Sequence, residues 1–199
     1  MLRRKFISGA GAMALGLASG RVLAQENDAG SAPPPSSGKD TYSEDEIIST
    51  ATDFFGIAAE ATAKAVQRVF KDLGQPNAYI KGNEGSAAFI VGLRYGTGWL
   101  ARKHMEPREI YWRGPSVGFD AGANASKVFT LIYNLHQDEE MYTRFPGAEG
   151  SYYFIAGIGV LYMRKNGVTI APMRTGVGLR AGVNAQYQEF TPKRDWFPL

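Results

Sequence analysis

The sequence predicts a mainly β fold: a small closed or nearly closed antiparallel barrel of about ten strands with an N-terminal amphipathic helix. Three observations carry this. From residue 77 onward apolar residues recur at every second position, the period of a strand. Several runs are apolar on both faces, above all 152–163 (YYFIAGIGVLYM), and such strands need cover on both sides. A barrel supplies it: side chains fill the inside, and the helix covers part of the outside or one mouth.

Taken in order, residues 1–24 read as a twin-arginine export signal, with Arg3, Arg4 and Lys5 before a Gly/Ala-rich apolar run and small residues up to Ala24. Cleavage is expected between Ala24 and Gln25, placing the mature protein in the periplasm. The apolar run is too short and weak to span a bilayer. Removing the signal also removes the basic balance. The chain has 22 Lys and Arg; without Arg3, Arg4, Lys5 and Arg21, 18 face 19 acidic residues, a net charge of −1. The high pI therefore belongs to the signal and argues for no nucleic-acid partner. The absence of cysteine excludes disulfides, thiolate metal sites, a Cys nucleophile and a lipid anchor on cysteine.

Residues 25–40, rich in Pro, Ser and Gly, read as a disordered linker. A single domain over 41–199, about 160 residues, is ample for one core. Ser43 and Glu46 form an S-x-x-E capping box. Behind it Ile47, Ala51, Phe54, Ala58, Ala61, Ala65 and Val69 make one stripe of a long helix that ends near Leu73-Gly74, with Gly56 as a place to bend or split. Its first half is acidic, so an anionic membrane would repel it; packing on a sheet is the better reading. Turns are read at 82–85 (GNEG), 96–98 (GTG), Gly114-Pro115 and Asn166-Gly167, the last being the strongest hairpin signal. Residues 137–145 read as a short second helix. Gly157 with Gly159, and Gly176, Gly178 with Gly182, are expected on single strand faces where the wall curves tightly.

No motif makes a credible catalytic set, and no enzymatic activity, cofactor or metal is expected. Residues 176–181 (GVGLRA) fit a dinucleotide fingerprint without the βαβ unit that gives it meaning. His104 and His136 stand alone, without a ligand pattern. Gly114-Pro115-Ser116-Val117-Gly118 has nucleophile-elbow spacing, yet strand-like residues follow where a helix is required. A serine-dependent envelope hydrolase using Ser116 is thus a remote alternative. The polar residues of interest are Arg94, Arg113, Arg174 and Arg180 in strand runs. Turned outward they are solvated. Turned inward they are costly unless they pair with Asp120 or Glu189 or hold an anionic ligand.

Residues 42–47 (YSEDEI), 73–80 (LGQPNAYI), 114–135, 144–147 (RFPG) and 171–180 (APMRTGVGLR) together resemble the EipA family of exported bacterial proteins, a domain of unknown function. The resemblance covers essentially all of 41–199. It implies a small conical antiparallel barrel of about ten strands, soluble in the periplasm and concerned with envelope integrity; it offers no catalytic residues. Residues 118–135 and the glycine-rich strands after them are more weakly similar to SYLF lipid-binding domains, which raises a lipid above other ligands. The expected function is therefore a non-catalytic periplasmic barrel that supports the cell envelope by binding a lipid or an envelope glycan. The alternative is a scaffold acting through an envelope protein partner. A membrane-spanning barrel is disfavoured, because a twin-arginine signal implies folding before export and the strands lack a continuous apolar band.

Overall fold

The structure, a computed structural model, describes residues 40–87, 92–116, 124–175 and 187–194. The expected signal, nearly all of the expected linker, Asp120, Arg180, the 176–181 glycine motif and the last five residues lie outside this set.

Order begins with two helices where the sequence suggested one. Helix α1, Glu44–Phe55, is capped by the Ser43–Glu46 box: Ser43 Oγ accepts from Glu46 N–H, and Glu46 Oε2 accepts from Ser43 N–H at 2.7 Å. Gly56 ends it with φ +65°, a left-handed conformation that suits glycine, and α2 follows as Ala59–Leu73. The break changes the stripe. Ile47, Ala51 and Phe55 are buried in α1, and Thr62, Ala65, Val66 and Val69 in α2, while Ala58 is exposed.

The eight strands described are β1 Ala78–Ala87, β2 Gly92–Arg102, β3 Arg108–Ser116, β4 Asn124–Tyr133, β5 Arg144–Ile155, β6 Ile158–Lys165, β7 Val168–Thr175 and β8 Tyr187–Thr191. Every pairing is antiparallel, and the order β1-β2-β3-β8-β5-β6-β7-β4 closes on itself, since β4 also pairs with β1. That the described residues hold eight strands, where the sequence suggests about ten, has a physical cause. The glycines of 82–85, 96–98 and 114 suggest turns, yet they lie inside long strands, with Gly82 opposite Gly98 and Gly96 opposite Trp112. In contrast, 152–163 reads as one strand and holds a turn. β5 ends at Ile155, Ala156 and Gly157 turn at φ +49° and +91°, and β6 returns from Ile158. Gly157 therefore turns the chain instead of sharing a strand face with Gly159. The Asn166-Gly167 hairpin forms as expected, with φ +51° and +85°. The second helix shrinks to a 3₁₀ turn, Asp138–Met141.

Two apolar clusters divide the strand residues by parity. Ala78, Ile80, Leu100, Ile110, Trp112, Ile132, Phe145, Met163, Ile170 and Phe190 fill the inside, with Leu135 and Met141 closing one end. Outside, Phe129, Leu131, Tyr133, Ile158, Val160, Ala171 and Met173 of β4, β6 and β7 pack against the buried stripes of α1 and α2. This is why those strands are apolar on both faces. The 3₁₀ turn is held to the plugged end by Asp138, which pairs with Arg102 at 3.1 Å and Arg108 at 3.3 Å.

Candidate functional site

Away from the plugged end, the interior changes from apolar to ionic. On β1 the inward parity runs Ala78, Ile80, Gly82, Glu84, so the strand that begins in the core delivers a carboxylate deeper along the same wall. Glu84 Oε2 accepts a hydrogen bond from Trp112 Nε1 at 2.8 Å. Arg174 of β7 donates from Nε to Glu84 Oε1 at 3.2 Å and from Nη2 to Oε2 at 3.4 Å, and its Nη2 also donates to Gln188 Oε1 of β8. Arg94 of β2 stands on the other side, its Nε 3.7 Å from Glu84 Oε2: close enough to attract, too far to bond. Five strands thus bring five polar side chains together inside the wall. Residue exposures are 6% for Glu84, 6% for Arg174, 9% for Arg94 and 0% for Gln188.

Glycines make room for this arrangement. A methyl group on Gly96 would fall on the Trp112 indole, and one on Gly82 would meet the same ring and the backbone of β2. The indole therefore lies on bare backbone, with its N–H reaching Glu84.

Among the described residues the charges do not balance. There, two guanidinium groups surround one carboxylate, and Arg94 Nε and Nη2, Gln188 Nε2 and the Tyr152 hydroxyl are buried without a hydrogen-bond partner. Burial pushes the Glu84 carboxyl up, but Arg174, Arg94 and the indole N–H outweigh it and hold it below the usual carboxylate value. Arg94 is pushed down to about 10, first by burial and then by Arg174, with Glu84 offsetting only part. Burial also raises Tyr152, against a smaller opposing effect of Arg174.

Of the arginines picked out in the sequence, Arg94 and Arg174 meet inside. Arg113 faces outward between the inward Trp112 and Gly114, and bonds Glu189 from Nε at 3.3 Å and Nη2 at 3.2 Å. Arg144 shares that carboxylate at 3.1 Å, so of the two orientations open to Arg113 it takes the outward one, with Glu189 as its partner on the outer wall. Ser116 is the last residue of β3 and pairs in the ladder with Gly92; Val117 and Gly118 of the elbow-like spacing lie outside the described residues. His136 is exposed and lies 3.8 Å from Glu140, and His104 occupies the turn after β2 at φ +63°. Sequence reading missed Glu84, Trp112, Gln188 and Tyr152. The parity of an unbroken 78–87 strand would have placed Glu84 inside.

A closed antiparallel barrel with a helical pair on one outer face and an ionic cluster in its interior defines the class: a small β-barrel protein whose polar chemistry lies inside the wall. Residues 40–199 match the family described as Envelope integrity protein A, and the chain belongs to that family. A crystal structure of a β-barrel-like, uncharacterized protein from Brucella abortus is similar at 39% identity and a TM-score of 0.73, covering 81% of this chain and 100% of that one. No curated protein is matched.

Proposed function

We propose that this is an exported, non-catalytic barrel that works in the periplasm and supports the cell envelope by holding an envelope component, a lipid or a glycan. Family membership supports an envelope-related role. The observation that carries the binding part is the surplus of buried donors around Glu84 among the described residues, since a purely structural cluster has no reason to leave two N–H-bearing nitrogens of one guanidinium unbonded. No helix among the described residues is long and apolar enough to cross a membrane. The outer wall carries Lys81, Glu109, Arg113, Arg144 and Glu189, which suits water better than lipid. The test is native mass spectrometry of protein released from the exported fraction, with an envelope-stress complementation assay alongside. A co-purifying lipid or glycan is expected; bare protein that also ignores envelope extracts would end the binding part.

The filled interior favours a second reading, a scaffold acting through protein contacts. Trp112, Phe145, Met163 and Phe190 occupy the space an acyl chain would need, while Trp99 is 53% exposed on the outer wall. Photo-crosslinking from position 99 in cells would trap a partner under this reading, and only monomer if it is wrong.

A further inference from the structure

We propose that the interior cluster is a receptor for one singly charged oxyanion group, a carboxylate or a phosphodiester, with Arg94 as the residue that binds it. The proposal deepens the binding reading above and rests on it only for the source of the anion. Three observations converge. Among the described residues the cluster holds two buried cations and one buried anion, so one negative charge neutralises it. Arg94 Nε and Nη2, neighbouring donors of one planar fork, have no hydrogen-bond partner among those residues, although the residue is 9% exposed and Glu84 lies 3.7 Å from Nε. A further unfilled donor, Gln188 Nε2, belongs to the side chain whose Oε1 accepts from Arg174, so it adjoins the same ion pair.

Within the cluster the roles differ. Glu84 is committed to Trp112 and Arg174, and Arg174 to Glu84 and Gln188. These form a fixed frame. Arg94 is held near the frame by charge alone and keeps its fork for an incoming acceptor. A doubly charged phosphate monoester would overshoot neutrality, and a neutral sugar would leave the charge unmet. Phe154, two residues beyond Tyr152 on β5 and opposite Gly159, is 40% exposed and offers a ring to whatever carries the anionic group.

This reading makes a prediction that a structural salt bridge does not. If Arg94 served Glu84, replacing it would lower stability. As a ligand-binding cation left uncompensated, it should cost stability in the empty protein. The experiment is thermal unfolding of the purified protein and of Arg94→Met, each with dihexanoyl-phosphatidylglycerol, dihexanoyl-phosphatidylcholine, glucuronate, glucose, inorganic phosphate or chloride. Arg94→Met should melt at the same temperature as the wild type or higher without additives. At least one anionic probe should raise the wild-type melting temperature by several degrees, its neutral or zwitterionic counterpart should not, and the rise should vanish in Arg94→Met. Phosphatidylglycerol acting alone assigns the anion to a lipid head, glucuronate alone to an acidic sugar, and inorganic phosphate acting as well as either to a free anion. Should Arg94→Met not fold, NMR of the wild type decides: the Arg94 Nε–H and Trp112 Nε1–H resonances should move together on titration. Equal shifts in both proteins, a lower melting temperature for Arg94→Met with no anion effect, or unmoved resonances would overturn the proposal. Anion binding without any effect of Arg94→Met on envelope-stress complementation would leave the site standing and remove the functional reading.

Discussion

Replacing Gly96 with alanine tests whether the ionic cluster depends on bare backbone beneath Trp112. The added methyl would sit inside contact distance of Trp112 Cε2, Cζ2 and Nε1, so the ring has to move. Overpacking of this kind costs about 1–3 kcal/mol. The displaced ring also loses the 2.8 Å bond from Nε1 to Glu84, and a hydrogen bond to a charged group contributes about 1.5–3 kcal/mol. Together these give a loss of about 2.5–6 kcal/mol. Urea unfolding of Gly96→Ala would measure it, with Gly85→Ala as the control on the neighbouring strand: its methyl meets nothing within 4 Å and should cost under ~0.5 kcal/mol. A double-mutant cycle adds the decisive comparison. In a Trp112→Leu background the same Gly96→Ala change should cost under about 1 kcal/mol, because the ring it strikes is gone. An equal cost in both backgrounds, or a loss below ~1 kcal/mol in the wild type, would refute this account.

The other predictions concern the cluster and its supports. Glu84→Gln leaves Arg94 and Arg174 without their buried anion and should cost about 3–5 kcal/mol by urea unfolding, with Arg94→Met restoring part of the loss. Glu84 and Glu189 are held below their ordinary value in the folded protein, so their contribution is complete above roughly pH 5 and is lost as pH falls through the lowered values. Acid titration by circular dichroism should show that loss, with a shallower limb in Glu84→Gln. Lys127 Nζ donates to the carbonyls of Phe54 at 2.8 Å and Phe55 at 3.2 Å, at the C-terminus of α1. Lys127→Met should lower stability by about 1 kcal/mol and speed amide exchange there. Asn77 bonds Leu135 both ways, Nδ2 to the carbonyl at 2.7 Å and Oδ1 from the N–H at 3.2 Å, so Asn77→Ala should cost about 2 kcal/mol in the same unfolding assay.

How much could be read beforehand differed by element. The capping box, the helix stop at Leu73-Gly74 and the Asn166-Gly167 hairpin were legible because each depends on neighbours in the chain. Gly56 was legible as a place to split, but that Thr62 and Val66, in place of Ala58 and Ala61, join Ala65 and Val69 on the buried face of α2 emerges only from packing on the sheet. The strands among the described residues are longer and fewer than the spacing of glycines suggests, because glycine has two uses. At Gly157 and Gly167 it turns the chain, whereas at Gly82 and Gly96 it clears space for an indole contributed from β3, and at Gly98 for the backbone of β1. Nothing local distinguishes these cases. The same error hid the site, since reading 82–85 as a turn took Glu84 off the inner face. Arg94 and Arg174 were identifiable as charges in apolar strands, but that they share one carboxylate 10 residues before the first and 90 before the second emerges only from closure of the wall.

That closure also limits how this molecule can be recognised. An open sheet can be extended by a guest segment that borrows its unpaired main-chain groups, a mode tolerant of guest sequence. Here β1 and β4, the strands that would have been the two borders of an open sheet, bond to each other from Ala78–Ile132 to Ser86–Asn124. No such border is left along that seam, and copies of the chain cannot polymerise there edge to edge. Whatever engages the wall along that seam must read side chains, whose identity point mutations can change one at a time while the ring of strands stays intact.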